Sequence, residues 1–160
     1  MKNIVISKLE KVDVKEAAKL VAALADYTLD KRPDIFIPNY ENWEENLTER
    51  LDNKDYHMIV AKEDNKIVGT CIAEIKHLGD DEITKRRDIL FIEYIVVKDE
   101  YKRNGIGTAM LNNMKAFIKD NNISSLELTV WGYNEDAIKF YNKNLNVKRS
   151  IYEYMTDEER

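Results

Sequence analysis

The sequence predicts an α+β domain on a mixed, mostly antiparallel central sheet flanked by helices. Three observations predict it. Strand-like and helix-like segments follow one another in the order β-α-α-β-β-β-α-β-α-β. The polar Glu63-Asp64-Asn65 divides two apolar strand patterns, which reads as an antiparallel hairpin. The run from Ile89 to Val97 is almost continuously apolar, as in a strand covered on both faces. A length of 160 residues with 44% hydrophobic side chains suits one domain spanning residues 1–160. No repeat or linker interrupts it.

Each element follows from local pattern. Asn3–Ser7 is a short β-branched strand. A helix starts at Asp13, with Glu16 three residues on and Ala17, Leu20, Val21, Leu24 and Tyr27 forming its stripe. Residues 31–40 hold both prolines, Pro33 and Pro38, and read as a loop. Trp43, Leu47 and Leu51 mark a second helix at spacing four. Tyr56–Lys62 and Lys66–Lys76 are the hairpin strands, residues 79–88 a charged turn, and Asp88–Lys98 the strongest strand. After Gly107 a helix runs to about Asp120 through Met110, Leu111, Met114, Phe117 and Ile118. Ser125–Trp131 alternates as a strand, Asn134–Asn144 is a helix, and Val147–Met155 is expected to close the sheet as a tyrosine-rich strand.

Composition narrows the function. Against 25 Lys+Arg stand 30 Asp+Glu, a net charge of −5. That balance disfavours nucleic acid, whose phosphates call for a basic face. No apolar run is long enough for a membrane span or a signal peptide, so a cytoplasmic location is expected. The single cysteine, Cys71, leaves no internal disulfide, and with two histidines it builds no metal site. Cys71 reads as a small core residue, and His57 and His77 as structural or solvent-facing.

Chemistry concentrates after the strongest strand. Of the five glycines, two fall in Gly105-Ile106-Gly107, where strand turns into helix. The helix's first N–H groups favour a phosphate or pyrophosphate there, and Lys102 and Arg103 add positive charge. A plain strand-to-helix turn would use the same residues. No Gly-Lys-Ser/Thr follows, so this is not a P-loop. Met110 stands where a dinucleotide fingerprint has its third small residue. Within the strand, alternation puts Glu93 on one face with Phe91, Ile95 and Val97. An acid among such neighbours has a raised pKa or binds a cation; a surface acid or a structural salt bridge is the alternative.

Lys102-Arg103-Asn104-Gly105-Ile106-Gly107 resembles the pyrophosphate motif of the GNAT superfamily of N-acetyltransferases, Arg/Gln-x-x-Gly-x-Gly/Ala. Lys102 departs from the usual Arg or Gln. Asn134-Glu135-Asp136-Ala137-Ile138-Lys139-Phe140-Tyr141 resembles the family's Asn-x-x-Ala-x-x-Phe-Tyr helix, at a family-like separation. Leu145-Asn146-Val147 stands where Leu-Gly-Phe/Met is frequent, and Asn tolerates a left-handed backbone nearly as glycine does. The likeness covers roughly residues 56–154.

The resemblance implies a GNAT-like acyl-CoA N-acyltransferase fold with acetyl-CoA as cosubstrate and no metal. The pyrophosphate would sit on Lys102, Arg103, Asn104, Gly105, Ile106, Gly107 and Thr108. The pantetheine arm would lie along Ile95, Val96 and Val97, touching Asn134. Glu93 takes the position of the acid that holds or deprotonates the acceptor amine, and Tyr141 that of the general acid for the leaving thiolate. The expected reaction is direct acetyl transfer to a primary amine, in particular a small cationic one such as a polyamine, diamine or aminoglycoside. A protein N-terminus or lysine is the alternative acceptor, and a non-catalytic acyl-CoA-binding module the alternative class. The segment Asp30–Tyr40, with Asp34 and Phe36, stands where relatives form the acceptor wall, although dimer anchoring fits it equally. Ile151, Tyr152, Tyr154 and Met155 suggest a homodimer through the last strand.

Overall fold

The computed structural model describes residues 3–156. Five strands, β1 (Ile4–Lys8), β2 (Tyr56–Glu63), β3 (Lys66–Leu78), β4 (Arg87–Val97) and β5 (Ser125–Glu127), form one sheet in chain order. Neighbours are antiparallel except β4 and β5, which run parallel across the α3 crossover. Helices α1 (Val14–Lys31) and α2 (Trp43–Arg50) cover one face, and α3 (Ile106–Asp120) the other, joined by α4 (Glu135–Asn144). The expected α+β architecture on a mixed, mostly antiparallel sheet is the one observed.

Two cores hold these layers. Met110, Leu111 and Met114 of α3 bury against Ile59, Cys71, Ala73, Leu90 and Ile92. On the other face Ala17, Val21 and Leu47 bury against Met58, Val60 and Ile72. Strand alternation explains the division, because successive side chains of β2 and β3 leave for opposite faces. The predicted stripe of α1 is buried as far as Val21. Beyond it the helix runs past the sheet, and Tyr27 packs on Tyr133 instead, with ring centroids 6.0 Å apart.

α1 starts from its N-cap Asp13 as expected, and two other expectations are corrected. The Asp13 side chain does not itself cap the helix. Its carboxylate accepts from the Glu10 N–H at 2.9 Å and pairs with Lys62 at 2.7 Å, so the acid is buried but compensated. The strand expected over Ser125–Trp131 ends at Glu127, since the chain then turns so that Trp131 and Tyr133 stack with centroids 6.2 Å apart. The final strand, Val147–Met155, does not form. With β5 so short, no edge lies alongside these residues to supply a hydrogen-bonding ladder. Side chains tie the segment down instead, through Arg149 to Glu127 and Glu153 to Arg32.

Candidate active site

β5 pairs with β4 only at Ile89, Leu90 and Phe91. Past Phe91 the two strands part, and that edge of β4 runs unpaired through Ile95, Val96 and Val97. Free backbone groups along a strand edge accept an added extended ligand. The edge leads straight to the start of α3. Gly105 caps that helix in the left-handed region, φ 80°, a conformation glycine adopts without strain. The first bond of the helix joins the Ala109 N–H to the Gly105 carbonyl at 2.9 Å. The preceding N–H groups, including those of Ile106, Gly107 and Thr108, therefore face the turn as an anion site.

Side chains brace the rest of the turn. The Asn104 side chain donates to the Tyr101 and Lys102 carbonyls at 3.1 and 3.3 Å. Lys102 and Arg103 are exposed, and Lys102 pairs with Asp99 at 2.8 Å. A Cβ on Gly107 would meet the Phe140 ring at 3.3 Å, so this glycine lets α4 seat against α3. Asn134 is the N-cap of α4: its carboxamide oxygen accepts from the Ala137 N–H at 3.3 Å. Its NH₂ end remains available to donate. Residues 95–97 thus lie on one free edge that runs on to the turn 102–108, while Asn134 stands at the start of α4.

Tyr141, on α4, reaches the α3 side of the sheet near Cys71, which pairs with Ile95 in the β3–β4 ladder. Burial pushes the Tyr141 phenol up to about 12, so it keeps its proton across the physiological range. Cys71 is fully buried, its thiol also pushed up by burial, which makes it packing and not a nucleophile.

Glu93 is where alternation misleads. In the β3–β4 register Ile72 pairs with Tyr94 and Ala73 with Ile92, leaving Glu93 as the extra residue of a β-bulge. The bulge reverses parity. Leu90 and Ile92 face α3 before it, and Ile95 and Val97 face α3 after it. Glu93 therefore does not share a face with Ile95 and Val97; it meets α2, where Arg50 Nη1 donates to its Oε2 at 3.0 Å. Burial raises its pKa, the Arg50 charge opposes that shift, and the Glu74 carboxyl beside it adds to the rise.

Sequence reasoning missed Arg50, Glu74 and the aromatic rings near them. Arg50 lies 4.8 Å over the Tyr56 ring, Trp43 is 5.7 Å from Tyr94, and Tyr40 is 4.8 Å from Trp43. One signal was legible: Glu74 is an acid within the apolar run Ile72–Ile75, and Arg50 sits on the Trp43–Leu47 stripe of α2. The loop after α1 borders this cluster through Tyr40. Its other end, Phe36, packs 6.3 Å from Trp131, and Arg32 lies 4.7 Å over that indole. His57 stacks on Phe117 at 3.9 Å, and His77 is an exposed partner of Asp88, so both are structural.

Against known proteins, the sequence profile of the acetyltransferase (GNAT) family matches residues 18–146. The chain belongs to this family. N-alpha-acetyltransferase 60 of Xenopus tropicalis is 28% identical to this GNAT chain over 114 residues, 63% of the chain. The chain spans about half the length of that relative, 46%. The tetramutant of the BH1408 protein of Bacillus halodurans superposes with a TM-score of 0.84 at 18% identity, covering 94% of this chain and 99% of that one. An aminoglycoside 6′-N-acetyltransferase of Acinetobacter baumannii superposes at 0.75 with 14% identity, covering 98% and 99%. These two likenesses establish the fold. Among the described residues no group of three His, Cys, Asp or Glu is placed to hold a metal ion. No described helix is long and apolar enough to cross a membrane.

Proposed function

We propose that this GNAT domain transfers an acetyl group from acetyl-CoA to a primary amine within one ternary complex. The observation that carries this reading is that Glu93 and Tyr141 flank the unpaired stretch of β4 from opposite faces of the sheet. The α3 N-terminus and the Gly105 turn would take the pyrophosphate, and the β4 edge the pantetheine, aiming the thioester between the two side chains. Glu93 attracts the ammonium and accepts its proton, directly or through water. The amine nitrogen then bonds to the carbonyl carbon, a free backbone N–H near Val96 steadies the oxyanion, and the nitrogen gives up its second proton to solvent as the carbon–sulfur bond breaks.

Tyr141 serves the departing sulfur. A thiol titrates near 8.5, so full proton transfer from a phenol at about 12 is uphill by about 5 kcal/mol. A hydrogen bond to the thiolate is the productive contact, with solvent completing the protonation. Tyr141→Phe is therefore expected to lower kcat by about 10²-fold or less and leave acetyl-CoA binding nearly unchanged. Steady-state kinetics with calorimetric binding checks this; unchanged kcat removes Tyr141 from the mechanism.

The acidic, aromatic surroundings of Glu93 favour a small cationic acceptor such as a diamine, polyamine or aminoglycoside. The rings of Tyr40, Trp43 and Tyr94 also suit the first side chain of a protein N-terminus, the acceptor that the name of the curated relative describes. A panel of these amines and of free-N-terminus and lysine peptides, with acetyl-CoA and a thiol-release assay, decides between them. Acetyl-CoA binding with no thiol released by any amine would make the domain a regulatory acyl-CoA binder. A cytoplasmic location belongs to this reading, as does a homodimer. Val147, Ile151, Tyr152 and Tyr154 are each at least 80% exposed, a surface suited to a second copy. Light scattering is expected to give twice the chain mass at micromolar concentration, and a monomer there rejects the dimer.

A further inference from the structure

Helix α2 presents to β4 more polar chemistry than docking requires. Leu47 alone is fully buried and anchors the helix. Asn46, next to it and one turn before Arg50, shares the face from which Trp43 and Arg50 reach Tyr94 and Glu93. Its Oδ1 is buried, with no hydrogen-bond donor among the described residues. An unpaired buried carbonyl oxygen destabilises a fold, and it is kept where something else satisfies it. Across from α2, Glu74 and Glu93 bring two carboxyl groups together, and Arg50 is the guanidinium between them and the Tyr56 ring. Two carboxyl groups thus stand against one guanidinium. The Asn46 oxygen lacks a donor, and an ammonium group supplies one together with a positive charge that carboxyl groups accept. The nearby faces of Trp43, Tyr56 and Tyr94 suit such a cation and the apolar chain attached to it.

We propose that Asn46 and Glu74 bind the acceptor's ammonium together with Glu93, while Arg50 acts as the positioning residue that fixes the Glu93 carboxylate. The inference rests on the amine-acetyltransferase reading above and names its acceptor chemistry: one cationic amine followed by an apolar segment. Neither residue lies in the pyrophosphate turn or on the β4 edge, so both can be changed without touching the cosubstrate site.

The test titrates the full chain, in millimolar CoA, with n-pentylamine and with neutral n-pentanol by calorimetry near pH 7. Pentylamine is expected to bind and pentanol not. Glu74→Gln and Asn46→Leu are each expected to weaken pentylamine at least about tenfold, the loss of a hydrogen bond to a charged group. Asn46→Leu is also expected to raise Tm, because it removes a buried unpaired oxygen at similar volume. Weaker ligand binding with higher stability is an outcome a merely structural residue does not give. Pentylamine binding unchanged in both variants, or absent in the wild type, overturns the proposal. Binding that is lost in the variants while no amine releases CoA thiol from acetyl-CoA upholds the ammonium site and rejects acetyl transfer.

Discussion

Glu93→Gln is expected to lower kcat/KM for a cationic amine by about 10²- to 10⁴-fold near pH 7, a larger loss than Tyr141→Phe gives. The substitution keeps the shape while removing both the charge that attracts the ammonium and the base that takes its proton. Activity should partly return as pH rises, because free amine accumulates without help. The wild-type profile carries a separate acidic limb. Burial and Glu74 raise the Glu93 pKa against the pull of Arg50, with Tyr56 and Tyr94 also facing it. A protonated Glu93 neither attracts a cation nor accepts a proton, so kcat/KM falls as pH drops through that raised value, above the ordinary carboxylate range. Glu74→Gln should move this acidic limb down, Arg50→Gln should move it up, and Glu93→Gln should erase it. Profiles from pH 5 to 10 with one accepted amine test all three. If Glu93→Gln matches the wild type while Tyr141→Phe is inactive, Glu93 is a structural acid and water is the base.

Gly105→Val is expected to abolish acetyl-CoA binding while the chain still folds. In the wild type, acetyl-CoA at about 100 times its dissociation constant should stabilise the fold by roughly 2.7 kcal/mol, read as a rise in Tm. A Cβ at Gly105 meets no other part of the chain within 4 Å, so nothing in the fold is crowded. The cost to the apo protein is backbone strain at φ 80°, about 1–2 kcal/mol for a side chain held in the left-handed region. The added isopropyl group projects instead into the space before the α3 N-terminus, where a pyrophosphate must approach. Variant protein that is folded, slightly less stable and unresponsive to acetyl-CoA confirms the site. A normal shift in that variant places the cosubstrate elsewhere, and no shift in the wild type at millimolar acetyl-CoA removes it altogether.

The sequence by itself determined what depends on near neighbours in the chain. Period-four apolar spacing located α2 and α3, the Glu63-Asp64-Asn65 break located the hairpin, and the two glycines located the turn into α3. Each is a local property: residue spacing decides which face a helix buries, and only a permissive residue takes φ 80°. The motif residues from Lys102 to Thr108 and from Asn134 to Tyr141 were legible for the same reason. Only the tertiary structure decided where partners across the sheet impose the outcome. The bulge at Glu93 exists because β3 pairs Ile72 with Tyr94 and Ala73 with Ile92, and it turned the acid from the α3 face to Arg50 and Glu74. Asn46 carries no signature at sequence level, since a buried oxygen without a donor is visible only once every neighbour is placed. The tyrosine-rich tail has strand-like composition, yet it lies along no pairing edge, because β5 leaves β4 after Glu127. That same divergence opens the β4 edge: a strand is completed by its partner, and here the missing partner leaves backbone groups open to an extended ligand.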